Sequence, residues 1–263
     1  RPALGWALAG DFLRAKAEPR RDTTEIILWP SWDLTVTQTP VAPEAKAAWD
    51  EGNEISTRFK EPWLATALRD RANRSLAEAL DVLLGREAAT DEEIQGWYGE
   101  LDEAVFDAYG LFPQTRETII SDLGPRPPEI IWPQMEGKSA DQKRMEHVWR
   151  LLSFCVKRVV EEDDDGLVPL VKCSNEPPLE ERVLAELEKI VGTDRLHDFE
   201  GEVASELRKK VAGYKRAESI ADWLTNVYFE YHARLYKGRP VYWHLASSQQ
   251  ADPAFGVLVH YHR

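Results

Sequence analysis

A chain of 263 residues with 43% hydrophobic content and ten tryptophans is long enough to bury a sizeable core in one large domain or two small ones, which excludes a disordered tail. Its formal charge of −13 excludes a protein that coats nucleic acid indiscriminately, because that mode depends on Lys and Arg displacing phosphate counterions. Two cysteines, Cys155 and Cys173, are too few for a disulfide framework and lack zinc-site spacing, and no apolar run approaches a membrane span. A cytoplasmic chain with no membrane partner is therefore expected. The opening at Arg1 without Met and the apolar run that ends at Arg263 read as a piece excised from a longer protein.

In chain order, Thr23 to Leu28 and Trp29 to Pro40 read as extended, since Pro30 and Pro40 oppose helix while Thr35, Val36 and Thr37 favour strand. Glu44 to Leu84 is Ala-rich and charged and predicts two helices, with Pro62 near one start and Gly85 just past an end. Asp91 to Tyr109 carries Ile94, Tyr98, Leu101, Val105, Phe106 and Tyr109 at helical spacing after a capping-box start at Thr90, and Gly110 is the stop. Gly124 to Asp141 is proline-rich and breaks the pattern.

Gln142 to Val160 predicts a helix with Met145, Val148, Trp149, Leu152, Cys155, Val156 and Val159 on one buried stripe. Pro177 and Pro178 open another that ends near Gly192, and Phe199 to Val211 and Ser219 to Tyr236 supply two more. After Gly238, RPVYWHLASS (Arg239 to Ser248) and FGVLVHYHR (Phe255 to Arg263) favour strand and predict an antiparallel hairpin around the loop Ser247 to Ala254. The expected fold is α+β, predominantly helical, with this C-terminal hairpin and a short extended N-terminal segment. Its expected divisions are a mixed, then helical spacer subdomain at 1–123, a proline-rich linker or loop at 124–141, and a helical subdomain at 142–263 ending in a truncated hairpin.

The charge is uneven. Ser205 to Arg263 holds nine Lys or Arg against five acids, a net +4 on a remainder of −17. A basic segment on an acidic body suits a defined groove, or else is a solvated helix face. Other chemistries are poorly served. Glu161 to Gly166 begins like a calcium loop, but Lys172 stands where a bidentate Glu is needed, so a solvated acidic turn is expected. Asp33 with Glu44 and Lys46 has the acid, acid and Lys of a metal-dependent nuclease without the strand context. His147 and His197 stand alone, while His244, His260 and His262 gather on the hairpin, where aromatic packing is expected rather than zinc. No metal site and no catalytic residue is assigned. The chain also lacks a glycine-containing loop for S-adenosylmethionine and an Asn/Asp/Ser-Pro-Pro-aromatic tetrapeptide: Arg126 to Glu129 and Glu176 to Leu179 have the wrong outer residues.

Several segments nonetheless resemble the large single-chain adenine methyltransferases of BREX phage defence (PglX type) and related type IIG restriction-modification enzymes. Pro30 to Leu34 (PSWDL), Leu101 to Leu111 (LDEAVFDAYGL) and, in part, Leu151 to Leu170 are similar to family segments. Asp102-Glu103 departs from the pattern. The most specific match is Ala221 to Ser248 (ADWLTNVYFEYHARLYKGRPVYWHLASS) together with FGVLVHYHR.

The resemblance implies the spacer and target-recognition region, C-terminal to a methyltransferase domain that flips and methylates an adenine. The fragment itself is then inactive and holds no cofactor, and S-adenosylmethionine belongs to the parent enzyme. Its expected partners are double-stranded DNA, the upstream methyltransferase domain and other defence-system subunits. Candidate DNA contacts are Arg208, Lys209, Lys210, Lys215 and Arg216 for phosphates, with Lys237, Arg239, Ser247, Ser248, Gln249 and Gln250 near the hairpin. Tyr242 and Trp243 offer aromatic faces, or else pack in a core hairpin with Arg239 bound to a carboxylate. The alternative function is an acidic helical module that docks subunits of a defence complex without touching DNA.

Overall fold

The structure, a computed structural model, describes residues 41–70, 75–124, 135–172, 176–246 and 256–260. The expected extended N-terminal segment, Asp33, the PSWDL match, Cys173, residues 125–134 of the proline-rich stretch, the loop Ser247 to Ala254 and His262 lie outside the described residues.

The chain divides into two compact units, residues 1–49 with 88–131 and residues 50–87 with 132–263. In the first, α1 (Val41–Trp49), the later part of α3 (Leu76–Ala108) and α4 (Pro113–Leu123) are helical. Gly110, at φ 61°, ends α3 as expected: its N–H donates to Asp107 O, and that of Leu111 to Phe106 O, the paired bonds of a Schellman stop. Pro113 then sits at the first position of α4, where its missing N–H has no helical acceptor to lose. Arg116 fastens the turn, donating to Leu111 O (2.9 Å), Glu103 (2.9 Å) and Asp107 (2.6 Å). α4 has no buried residue, and Phe112, Ile120 and Leu123 stand 75%, 52% and 56% exposed.

The second unit is built around α5 (Ala140–Glu161), whose stripe widens until fourteen of its residues are buried. Its start carries a reciprocal capping box: the Gln142 N–H donates to Ser139 Oγ and the Ser139 N–H to Gln142 Oε1 (2.9 Å). Around it lie a 3₁₀ turn (Asp50–Gly52), α2 (Trp63–Asp70), the first turns of α3, β1 (Leu167–Pro169), α6 (Leu179–Val191), α7 (Thr193–Leu207), α8 (Ile220–Asn226), α9 (Tyr228–Leu235), β2 (Tyr242–Ala246) and β3 (Gly256–His260). Lys143 and Arg144 bond Glu87 and Asp81 of α3, fixing α5 against it.

The fold class is α+β and mostly helical, with β2 and β3 forming the C-terminal antiparallel hairpin in the register Tyr242↔His260 to Ala246↔Gly256. A third strand, absent from the sequence reading, joins it: β1 pairs antiparallel with β3, giving the order β1-β3-β2. The acidic turn before β1 explains how so short a strand is held. Asp163 Oδ1 accepts the N–H of Asp165 and Gly166, its Oδ2 accepts from Arg182 (2.5 Å), and Asp165 Oδ1 accepts the N–H of Leu167.

The helices differ from the expected ones in three places. Gly85 does not end a helix and Thr90 does not start one, because α3 runs through both; a helical glycine costs about 1 kcal/mol against alanine but breaks no hydrogen bond. The helix placed at Phe199 to Val211 runs Thr193–Leu207 instead, entered directly from Gly192 at φ 89°. The single helix expected over Ser219 to Tyr236 is two, because Val227 leaves helical geometry at φ −125°.

Candidate functional site

Five of the sequence-derived cations share one loop. Arg208 caps the end of α7, and Lys209, Lys210, Lys215 and Arg216 follow before α8, all exposed. The loop is braced rather than loose. Gln142 Nε2, beyond its capping role, donates to Ala212 O (2.9 Å), Arg208 donates to Glu218 O (3.1 Å), and Lys215 Nζ donates to Asn226 O (2.9 Å). Gly213 takes φ 80° at the bend, a left-handed conformation that glycine adopts without a Cβ penalty. Lys209 pairs with Glu206, so part of its charge is already met.

Lys237 and Arg239 belong to a separate turn. Lys237 is at φ 54° and closes a Schellman motif on α9, with its N–H donating to Arg234 O (3.1 Å) and the Gly238 N–H to Ala233 O (2.7 Å). Arg239 is exposed. Ser247, Ser248, Gln249 and Gln250 lie outside the described residues.

The aromatic pair of the hairpin divides by strand alternation. Tyr242 is 2% exposed, stacks on His232 at 5.0 Å and donates to Glu161 (3.4 Å), whereas Trp243 is 47% exposed. His232 explains the strand entry: its Nε2 accepts the N–H groups of Val241 (3.0 Å) and Tyr242 (3.1 Å), so the ring proton sits on Nδ1. Burial pushes its pKa down to about 4. The ring is neutral and fastens α9 to β2.

Beside the cationic loop lies a cleft of about 290 Å³ lined by Lys138 and Gln142 before and in α5, Ala212 to Tyr214 of the loop, and Tyr231 and Arg234 of α9. Glu146 forms its floor, 2% exposed. One Glu146 oxygen accepts from Lys138 Nζ (2.8 Å) and Tyr214 Oη (2.6 Å), the other from Tyr231 Oη (3.2 Å) and Arg150 Nε (3.4 Å). Burial opposes the carboxylate charge, but Arg150 and Lys138 outweigh it and hold the Glu146 pKa below its ordinary value. Burial lowers that of Lys138, against the pull of Glu146.

Trp149 backs this wall with edge contacts to Tyr214 (4.8 Å) and Tyr231 (5.2 Å), and the Arg234 guanidinium lies 5.9 Å from the Tyr231 ring. Lys138, Glu146, Tyr214, Tyr231 and Arg234 did not emerge from the sequence as site residues. The Glu146–Arg150 spacing of four was the available signal, but i,i+4 ion pairs are ordinary on solvated helix faces.

Other polar groups are structural. Burial pushes the Glu54 carboxyl up, against hydrogen bonds from Tyr236 (3.0 Å) and Ser153 (3.1 Å) that hold it between α9 and α5. Burial likewise pushes the Cys155 thiol up, leaving it unreactive. Among the described residues, no group of three or more His, Cys, Asp or Glu is placed to hold a metal, and no helix is long and apolar enough to cross a membrane.

The class these features define is a mostly helical α+β protein whose α7–α8 loop presents cations beside an aromatic cleft. No protein-family model matches the chain, and no curated protein matches it significantly.

Proposed function

We propose that this chain is the DNA-recognition and spacer region of an adenine-specific DNA methyltransferase of bacterial restriction-modification or phage defence, with S-adenosylmethionine and catalysis residing in an upstream domain. The observation that carries the reading is the braced loop with five exposed cations, Arg208, Lys209, Lys210, Lys215 and Arg216, on a body that is otherwise strongly acidic. Such a loop concentrates attraction for phosphate at one place, while the surrounding negative charge repels a duplex from everywhere else. A low-salt mobility-shift assay on random-sequence duplex tests it. Binding is expected, and charge reversal at Lys209, Lys210 and Lys215 removes it. No shift with any duplex, or methyl transfer by the isolated chain, sinks the reading.

A second reading is an interaction module of a defence complex, favoured by one apolar face of the sheet. Register and alternation place Leu167, Trp243 and Leu245 together there, and they are 44%, 47% and 56% exposed.

A further inference from the structure

The cleft over Glu146 has a charge arrangement that duplex attraction to the loop does not require. At about 290 Å³ it lies just under the range for ligand sites, roughly 300–1,000 Å³. Its single lining carboxylate is spent: Glu146 already accepts four hydrogen bonds from Lys138, Tyr214, Tyr231 and Arg150. What remains open is cationic. The Lys138 ammonium carries three N–H groups, and Glu146 and Tyr214 Oη (2.5 Å) take two of them. Arg234, which also lines the cleft, is exposed, lies about 6 Å from the Trp149 and Tyr231 rings, and among the described residues makes no ion pair with a carboxylate.

Two cations that line one cleft and, among the described residues, keep N–H donors to spare suit a ligand whose negative charge is spread over several oxygens. A guanidinium fork and an ammonium point charge together match a phosphoryl group better than a single carboxylate. Tyr214 adds a partly exposed ring for whatever carries the phosphate. We propose that this cleft is an oxyanion site for the phosphoryl group of a phosphorylated ligand, bound by Arg234 and Lys138. The donor set fits both a free phosphomonoester and a phosphodiester of a nucleic-acid strand, and the inference stands without the DNA reading above.

The test titrates the full chain with inorganic phosphate and with adenosine monophosphate, read by phosphorus NMR line broadening, and in parallel with a fluorescent duplex, read by polarisation. Arg234→Gln removes the fork at an exposed position, and Arg234→Lys keeps the charge. Saturable binding of phosphate or the nucleotide, weakened about tenfold or more in Arg234→Gln and less in Arg234→Lys, establishes a free phosphomonoester site. Binding of the duplex alone, with the same ranking of the variants, establishes a backbone phosphate. Absence of saturable binding of all three probes by the wild-type chain at roughly millimolar ligand overturns the proposal, as does binding that both variants leave unchanged. Nucleotide binding without any duplex shift separates the two claims: the cleft then stands and the DNA reading falls.

Discussion

His232 shows how one side chain turns a sequence motif into a fastening. Two main-chain N–H groups rest on one ring nitrogen, and protonation there would replace two hydrogen bonds with two donor–donor clashes. Its pKa of about 4 in the folded chain lies below the ordinary 6.5, so between those values the unfolded chain binds the proton and the folded chain does not. Stability therefore falls as pH drops from 6.5 to 4 and levels off below, by about 3 kcal/mol from this residue. Denaturant unfolding followed across that window checks it: His232→Gln should be less stable at pH 7 and show a shallower acid slope. Glu146 offers a second test. Removing it in Glu146→Ala leaves Arg150 and Lys138 without their shared carboxylate and should cost about 3–5 kcal/mol by chemical denaturation. Glu146→Gln, which keeps two polar atoms in place, should cost less.

At the scale of elements, the α9–β2 connection is closed by Lys237 in the left-handed region, where a Cβ is strained and glycine is not. Lys237→Gly should raise stability by about 0.5–1 kcal/mol, measured as a shift in urea midpoint, because relief of strain exceeds the added entropy of the unfolded chain. If Lys237 also touches DNA, the same variant weakens duplex binding while stabilising the fold, and the two readouts separate its roles. Many elements were legible from local chemistry. α5 and α6 follow from apolar periodicity and from Pro177-Pro178, and the hairpin follows from β-favouring residues on either side of a polar loop. The break at Val227 was not legible, because Ile220 to Leu235 keeps one helical pattern across it, while in the fold Trp223 and Tyr231 on either side of it both pack against Trp149. β1 escaped for a related reason: three residues carry no periodicity, and only β3 makes them a strand.

For the molecule as a whole, a charge of −13 makes salt the sharpest probe of how DNA would be held. If the loop cations contact phosphates, the affinity for duplex falls with rising salt, and each of Lys210→Gln and Arg216→Gln lowers the slope of log affinity against log salt by about one. Equal slopes in the variants and the wild type would place the duplex elsewhere. The sequence alone determined the helical class, the C-terminal hairpin and the clustering of cations after Ser205, since all three rest on residues close together in the chain. It could not assemble the cleft. Lys138, Glu146, Tyr214 and Arg234 are spread over almost a hundred residues, and only the burial of α5 against α7, α8 and α9 brings them to one cleft. RPVYWHL illustrates the same division within seven residues. Its strand character is local, but whether Tyr242 or Trp243 faces solvent depended on which side of the sheet His232 and the helices cover.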